Sequence, residues 1–253
     1  MNGCESLRRD PAQCQCGGGK TFAGVRLVCL IDVPLLPRYA GDMSRRDHWE
    51  RVYRTKGAAD VSWYQPEATV SLDLIRRVAP EHDAPIIDVG GGASTLVDGL
   101  LDAGYERVTV LDLAASALAV SQRRLGARAG LVTWLDADVL SAALPNATYS
   151  VWHDRAVFHF LTDPADRARY VAQVHDAVRP GGYVIVASFA PEGPTRCSGL
   201  DVVRYSPETM HAQFGPDFHL LDSVREEHRT PSGMTQAFVY CLCRVGAPQA
   251  PAD

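Results

Sequence analysis

The stretch PIIDVGGGAST at residues 85–95 constrains this chain more than any other. A short apolar run, Ile86–Ile87, meets Asp88 and Val89. Three glycines and the small residues Ala93, Ser94 and Thr95 follow. Glycines directly after a buried strand mark a backbone turned tightly enough for a ligand to approach it. The flanking sequence alternates in the same way. A helical pattern over 69–79 leads into strand 85–89, helix 94–103 into strand 107–112, and helix 114–124 into strand 131–135. Strand 149–153 precedes helix 164–178, the nearly all-apolar strand 183–189 and helix 206–214. Two long runs, FHLLDSVREEH and MTQAFVYCLCRV, close the chain and are joined only by RTPSG. That link is too short for a crossover, so the pair is antiparallel. The expected fold is α/β: a Rossmann-like doubly wound sheet, mostly parallel, with a C-terminal antiparallel hairpin.

A chain of 253 residues has room for one such domain, and no internal repeat is visible. Residues 1–42 lack a sustained period and are rich in Cys, Gly and Pro, so they read as a poorly ordered extension. The domain is expected over 43–245, with a tail at 246–253. Its first helix is SRRDHWERVYRTK, whose Trp49, Val52, Tyr53 and Lys56 share one face. Lys+Arg number 25 against Asp+Glu 30, a formal charge of −5, so no nucleic-acid partner is expected. Seven cysteines include Cys4, Cys14, Cys16 and Cys29 near the N-terminus, with Cys14 and Cys16 spaced too tightly for a structural zinc pair. No metal is expected. Cys241 and Cys243 alternate within a strand and face one core. No apolar run approaches the roughly 18 residues of a membrane span. VRLVCLIDVPLLP at 25–37 is interrupted by Asp32 and Pro34 and lacks a cleavage site, so no membrane partner and a cytoplasmic setting are expected.

Three ligand types compete for the glycine turn. A phosphate-cradling P-loop needs Lys-Ser/Thr after its last glycine, and none is present. A dinucleotide fingerprint needs a third glycine where Thr95 stands. Asp88 would repel a pyrophosphate but accept a cation. S-adenosylmethionine carries an ammonium and a sulfonium and no phosphate, and the turn amides suit its carboxylate. Asp112, ending VTVLD, is placed to take ribose hydroxyls, with capping of the next helix as the alternative. Asp138 in LDADVL is placed for the adenine amino group, with Asp136 as a competitor.

IIDVGGGAS, VLDL, DADV, WHDRAVFHF and RPGGYVIV, in this order and spacing, resemble the class I S-adenosylmethionine-dependent methyltransferases over about residues 44–245. The resemblance implies a seven-stranded sheet edged by the final hairpin. It implies that Asp88, Gly90 and Gly92 hold the methionine part, Asp112 and Leu113 the ribose, and Asp138 and Val139 the adenine. Ser94 stands where many members carry another glycine.

The acceptor pocket is expected from the stretch after the fourth strand, the N-terminal segment and the loop at 190–205. His153 is grouped with the cofactor residues. His159 is the candidate base, having the side chain that titrates nearest neutrality, and Asp154 is the next. Arg155 is a candidate for an acceptor's anionic group, or else the partner of Asp154 in an internal ion pair. Trp63 can face the sulfonium with its ring, and Tyr64 stands beside it on the acceptor side. Arg204, Tyr205 and Cys197 belong to the 190–205 loop, whose length suggests a lid. The expected activity is methyl transfer from S-adenosylmethionine to a small-molecule thiol, amine or similar nucleophile. Alternatives are a protein lysine as acceptor, a nicotinamide-dependent oxidoreductase and a non-catalytic nucleoside-binding module.

Overall fold

A computed structural model describes residues 38–246, with side chains from Arg45 onward. The N-terminal cysteines Cys4, Cys14, Cys16 and Cys29, the apolar run at 25–37 and most of the tail expected at 246–253 lie outside the described residues. Helix α1 (Arg38–Thr55) and α2 (Thr69–Val78) precede β1 (Ile86–Val89), α3 (Leu96–Asp102), β2 (Val108–Asp112), α4 (Ala115–Leu125) and β3 (Val132–Asp136). Then come β4 (Tyr149–Arg155), α5 (Pro164–Ala177), β5 (Val178–Phe189), the two-residue strands β6 (Arg196–Cys197) and β7 (Leu200–Asp201), α6 (Pro207–His211), β8 (Phe218–Arg229) and β9 (Thr235–Val245).

Seven strands form one sheet in the order β3-β2-β1-β4-β5-β9-β8. Pairing is parallel from β3 through β5 and antiparallel at β5–β9 and β9–β8. The strand order reverses between β1 and β4, where ligands of such sheets bind. Alternation sorts the core onto two faces. Ile86, Val108, Val110 and Val151 pack with α2 and α3 through Leu74, Ile75, Leu96 and Leu100. Ile87, Val89, Trp152 and Val186 pack with α5 through Tyr170 and Val174. Cys241 and Cys243 are buried together on the second face, as their spacing implied.

Three local expectations are revised. The strand expected at 183–189 begins earlier: β5 runs from Val178 through Arg179-Pro180-Gly181-Gly182, with Gly181 at φ +75° and a register shift against β4. Helix α6 stops at His211 instead of reaching residue 214. The 190–205 segment is no open lid. It folds back as the β6–β7 ribbon, and its backbone is fastened by Val203 N donating to His159 O and Tyr205 N donating to Phe189 O, both at 2.9 Å.

Helix α1 starts at Arg38, ahead of Met43. Its side chains reach three parts of the domain. Glu50 Oε1 accepts from Ser116 N at 3.2 Å in the first turn of α4, Arg45 pairs with Asp166 at 3.4 Å, and Arg46 pairs with Asp136. Among the described residues, no helix is long and apolar enough to cross a membrane. Because α1 holds these ties to α4, α5 and β3 through residues that follow Met43, a chain shortened to begin at Met43 is expected to fold. Its thermal midpoint, read by circular dichroism, should stay within about 4 °C of the parent, a cost of at most about 1–2 kcal/mol.

Candidate functional site

A cleft opens at the carboxyl ends of β1, β2 and β4 and has two lobes. One, of about 40 Å³, is lined by Asp88, Gly91, Ser94, His153 and Tyr64. The other, of about 110 Å³, is lined on its sheet side by Asp112, Leu113, Asp138 and Val139. Tyr53, Trp63, Val89, Gly90 and Arg155 line both and mark where they meet.

The glycine turn is shaped by two carboxylates. Gly90 has φ +69°, and a Cβ there would run into Val157 Cγ2. A Cβ on Gly91 would collide with Asp88 Oδ2, and one on Gly92 would lie 2.5 Å from Asp112 Oδ2. The turn therefore lacks side chains largely because two acids tuck beneath it. Its amides are also partly committed. Gly90 N donates to Leu111 O at 2.7 Å and Gly92 N to Asp112 Oδ2 at 3.0 Å, so neither serves the methionine carboxylate as expected.

Asp88 is buried, with Oδ1 2.7 Å from His153 Nδ1. Its Oδ2 is buried with no hydrogen-bond partner among the described residues. A buried, half-satisfied carboxylate is costly alone and well suited to an incoming cation. His153 pairs with Asp88 in the β1–β4 register, so both side chains leave the sheet on the α2 face. Its Nε2 lies 2.8 Å from Ser71 Oγ. Both ring nitrogens are thus engaged, and His153 orients Asp88 from the lobe wall.

Asp112 Oδ1 accepts from Ala114 N at 2.8 Å at the start of α4, and Oδ2 from Gly92 N. Capping is therefore part of its role, and a carboxylate's remaining lone pairs are left for hydroxyls. Burial pushes its pKa up to about 6, against the pull of those two amides. Asp138 accepts from Leu140 N at 2.9 Å, lies 3.8 Å from Arg45 Nη2 and lines the larger lobe, whereas Asp136 pairs with Arg46 at the surface.

The stretch after β4 diverges from expectation because successive strand residues face opposite ways. Asp154 points to the α5 face and is wholly buried. Its oxygens accept from Val157 N at 2.8 Å, Phe158 N at 3.0 Å and Tyr170 Oη at 2.6 Å, closing the turn that follows. It lines neither lobe and has no catalytic position. His159 is also wholly buried, with Phe160 and Phe189 at ring separations of 4.4 and 4.8 Å. Burial, aided by the Arg155 charge, lowers its pKa to about 3. It stays neutral and lines neither lobe, so it is not placed as a base.

Arg155 returns to the cleft, but its ion-pair partner is Glu226, not Asp154. Nη2 lies 3.2 Å from Glu226 Oε2, Nε donates to Tyr240 Oη at 2.8 Å, and Nη1 to Trp63 O at 3.2 Å. Arg204 holds Pro191 O at 2.6 Å, and Tyr205 is buried against Phe158. Neither lines a lobe, so the acceptor-side expectation fails for both. Trp63, Tyr64 and Cys197 do line the cleft. Burial raises the Cys197 thiol to about 11, which keeps it un-ionised.

The residues not anticipated come from α1. Trp49 packs edge-on to Trp63 at 5.8 Å and to Phe160 at 5.0 Å, and Tyr53 packs edge-on to Trp63 at 6.3 Å. These rings wall the larger lobe away from the sheet. The periodic face of α1 held the signal, since Trp49 and Tyr53 lie on it, but it did not say what that face covers.

Comparisons with known proteins bear on the domain and its fold. Residues 86–182 match the model of a family described as a methyltransferase domain. The eEF1A lysine and N-terminal methyltransferase of Danio rerio is 26% identical over 208 residues, covering 81% of this chain and 29% of that protein. An uncharacterized methyltransferase of Mycobacterium tuberculosis is 31% identical over 131 residues, 50% of this chain and 60% of its own length. The chain therefore spans under a third of the first relative's length and 60% of the second's. Among solved structures, Burkholderia thailandensis 1,6-didemethyltoxoflavin-N1-methyltransferase, with its acceptor and S-adenosylhomocysteine bound, has a TM-score of 0.61 at 21% identity. It covers 86% of this chain and 94% of that one. N-methyltransferase NodS from Bradyrhizobium japonicum, bound to S-adenosylhomocysteine, has a TM-score of 0.60 at 15% identity, covering 79% and 100%. At these identities the structural likeness speaks for the fold.

As an acceptor for ligand hydroxyls, Asp112 would act fully only when ionised. Affinity for S-adenosylhomocysteine is expected to weaken as pH falls through about 6, by about tenfold at pH 5. Calorimetry across pH checks this, with Asp112→Asn expected to bind weakly and without that dependence.

Proposed function

We propose that this class I S-adenosylmethionine-dependent methyltransferase moves a methyl group to a small-molecule nucleophile that arrives already reactive, a thiol or an amine. The cofactor is S-adenosylmethionine, which supplies an electrophilic methyl on a sulfonium for in-line displacement. The residues fit it. Asp88 Oδ2 is the acceptor for the ammonium, Asp112 for the ribose hydroxyls, and Asp138 with Val139 for the adenine. Arg155 uses three of its five N–H groups within the protein. The remainder can serve the cofactor's carboxylate, in place of the acceptor's anion. Gly90 allows the backbone turn between the two lobes.

The observation that carries the acceptor class is the wall of Trp49, Tyr53, Trp63 and Phe160 around the larger lobe. Among the described residues, no histidine lines that lobe, and its carboxylates, Asp112 and Asp138, stand on the cofactor side. Such a pocket can align a nucleophile and exclude water, but it offers no side chain poised to take a proton. Alcohols and carbon acids need a strong base. A thiolate or a neutral amine does not, because solvent can remove its proton beforehand. Aromatic faces also attract a cationic ammonium product. The three described cysteines are free and buried, which suits a reducing, cytoplasmic setting.

A protein acceptor is the second reading. It is favoured by the similarity to the eEF1A lysine and N-terminal methyltransferase. The packing of α1 and its aromatics over the lobe favours the small acceptor.

Purified protein with methyl-labelled S-adenosylmethionine, offered thiols, amines, small acids and cell lysate, separates the two. Extractable label supports the first reading, label in a protein band the second, and no cofactor binding at all overturns both. With the acceptor found, His159→Asn is expected to keep kcat within about threefold, where loss of a general base would cost about 10²-fold. The rise of kcat/KM with pH should follow the acceptor's own ionisation, which parallel measurements on two acceptors of different pKa would check.

A further inference from the structure

Two acceptor nucleophiles, a thiol and an amine, fit the function proposed above, and they differ in the charge they bring into the larger lobe. The outer wall of that lobe is built of crossed rings. Trp49 meets Trp63 at an interplanar angle of 81° and Phe160 at 76°, and Tyr53 meets Trp63 at 78°. All four rings line the lobe. Rings set nearly at right angles turn their faces in more than one direction, as enclosing a cation requires.

Four charged side chains also line the lobe: Arg45, Arg155, Asp112 and Asp138. Both cations are paired from outside it. Arg155 Nη2 lies 3.2 Å from Glu226 Oε2, and its guanidinium carbon lies 4.2 Å from the centre of the Phe238 ring. Arg45 Nη1 lies 3.4 Å from Asp166, which also pairs with Arg169, and Arg45 Nη2 lies 3.8 Å from Asp138. Neither Glu226 nor Asp166 lines the lobe. Asp112 has only the neutral amides of Gly92 and Ala114 as hydrogen-bond partners among the described residues. Set Arg45, Arg155 and Arg169 against Asp112, Asp138, Asp166 and Glu226, and one negative charge remains.

The two nucleophiles respond to this setting in opposite ways. A thiolate enters as an anion, and its displacement of the methyl leaves two uncharged thioethers. A neutral amine enters uncharged. Its lone pair forms the carbon–nitrogen bond as the carbon–sulfur bond breaks, and the positive charge passes from sulfur to nitrogen. Any proton left on the new ammonium is lost to solvent. Ring faces and surplus negative charge stabilise the cation that develops on nitrogen and oppose the entry of an anion.

We propose that the acceptor is an amine, and that the crossed rings of Trp49, Tyr53, Trp63 and Phe160 form the site for the methylated ammonium it becomes. The assignment rests on the methyl-transfer reading above and narrows it. It also fixes when the ammonium is held. A sulfonium next to the rings repels a second cation, whereas the sulfur of S-adenosylhomocysteine is uncharged, so the site favours the ammonium after transfer.

Choline and 3,3-dimethyl-1-butanol, offered to the full chain saturated with S-adenosylhomocysteine, test this by calorimetry. The two probes share shape and hydroxyl and differ in charge, and the saturating ligand keeps choline out of the ammonium site at Asp88. Choline is expected to bind at least about tenfold more tightly than the alcohol. It should bind about tenfold more weakly when S-adenosylmethionine replaces S-adenosylhomocysteine, and it has no lone pair on nitrogen with which to react. Trp49→Leu keeps apolar bulk and removes a ring face. It should narrow the preference for choline by about threefold while S-adenosylhomocysteine binds within about fivefold of the parent. Phe160→Leu should behave alike, which covers a poorly folded Trp49→Leu. In the labelled-cofactor screen, amines should take up label and thiols none. No choline binding, equal binding of the two probes, a preference that survives both variants, or a labelled thioether overturns the amine site and leaves the cofactor assignment standing. Absence of S-adenosylhomocysteine binding to the parent overturns the cofactor assignment and the amine site with it.

Discussion

Two carboxylates buried under one turn organise this molecule. Asp88 and Asp112 end adjacent parallel strands, and both fold beneath the glycines that link β1 to α3. Burying such groups is unfavourable unless they are hydrogen-bonded or paired. Asp112 meets that demand with the amides of Gly92 and Ala114, which fixes the turn against the start of α4. Asp88 meets half of it with His153. Its other oxygen is buried with no hydrogen-bond partner among the described residues, a position that suits a cation, and a Cβ on Gly91 or Gly92 would collide with one of these two acids.

The same economy of polar partners explains why the residues after β4 are not a catalytic cluster. His153, Asp154 and Arg155 are consecutive, so the pleat sends the first and third to the α2 face and the second to the α5 face. Asp154 is consumed by the turn through Val157 and Phe158 and by Tyr170. His159, one turn further on, lies beneath two phenylalanine rings and remains neutral. What remains at the cleft is Arg155, fixed by Glu226 and Tyr240 from the hairpin at the far end of the chain. This arrangement is what the function proposed above rests on, since displacement from S-adenosylmethionine needs alignment and exclusion of water more than a protein base.

Helix α1 and the 61–65 segment complete the cleft from outside the sheet. Trp49 and Tyr53 meet Trp63 across the larger lobe, and Arg45, Arg46 and Glu50 tie the helix to α5, β3 and α4. These ties are mostly half-exposed, and exposed ion pairs contribute little each. The helix is held chiefly by its aromatic face, so the wall of the larger lobe and the docking of α1 depend on the same rings.

Most strand and helix positions, the antiparallel final hairpin and the glycine turn were legible in the amino-acid sequence, as was the placing of Asp88, Asp112 and Asp138 at the carboxyl ends of their strands, where they line the cleft. Each rests on a local rule: a period of two or 3.6, a link too short for a crossover, or an acid at a strand's end. Those rules act within a few residues and survive whatever packs nearby. The acceptor side was not legible. Whether His159 faces a cleft or two phenylalanines, whether Arg155 pairs with Asp154 or with Glu226, and whether residues 190–205 form a lid or a fastened ribbon all depend on groups distant in the chain. Only the tertiary structure decided them, because burial and hydrogen-bond partnership belong to the space between elements, and a sequence specifies that space only once every element has been placed.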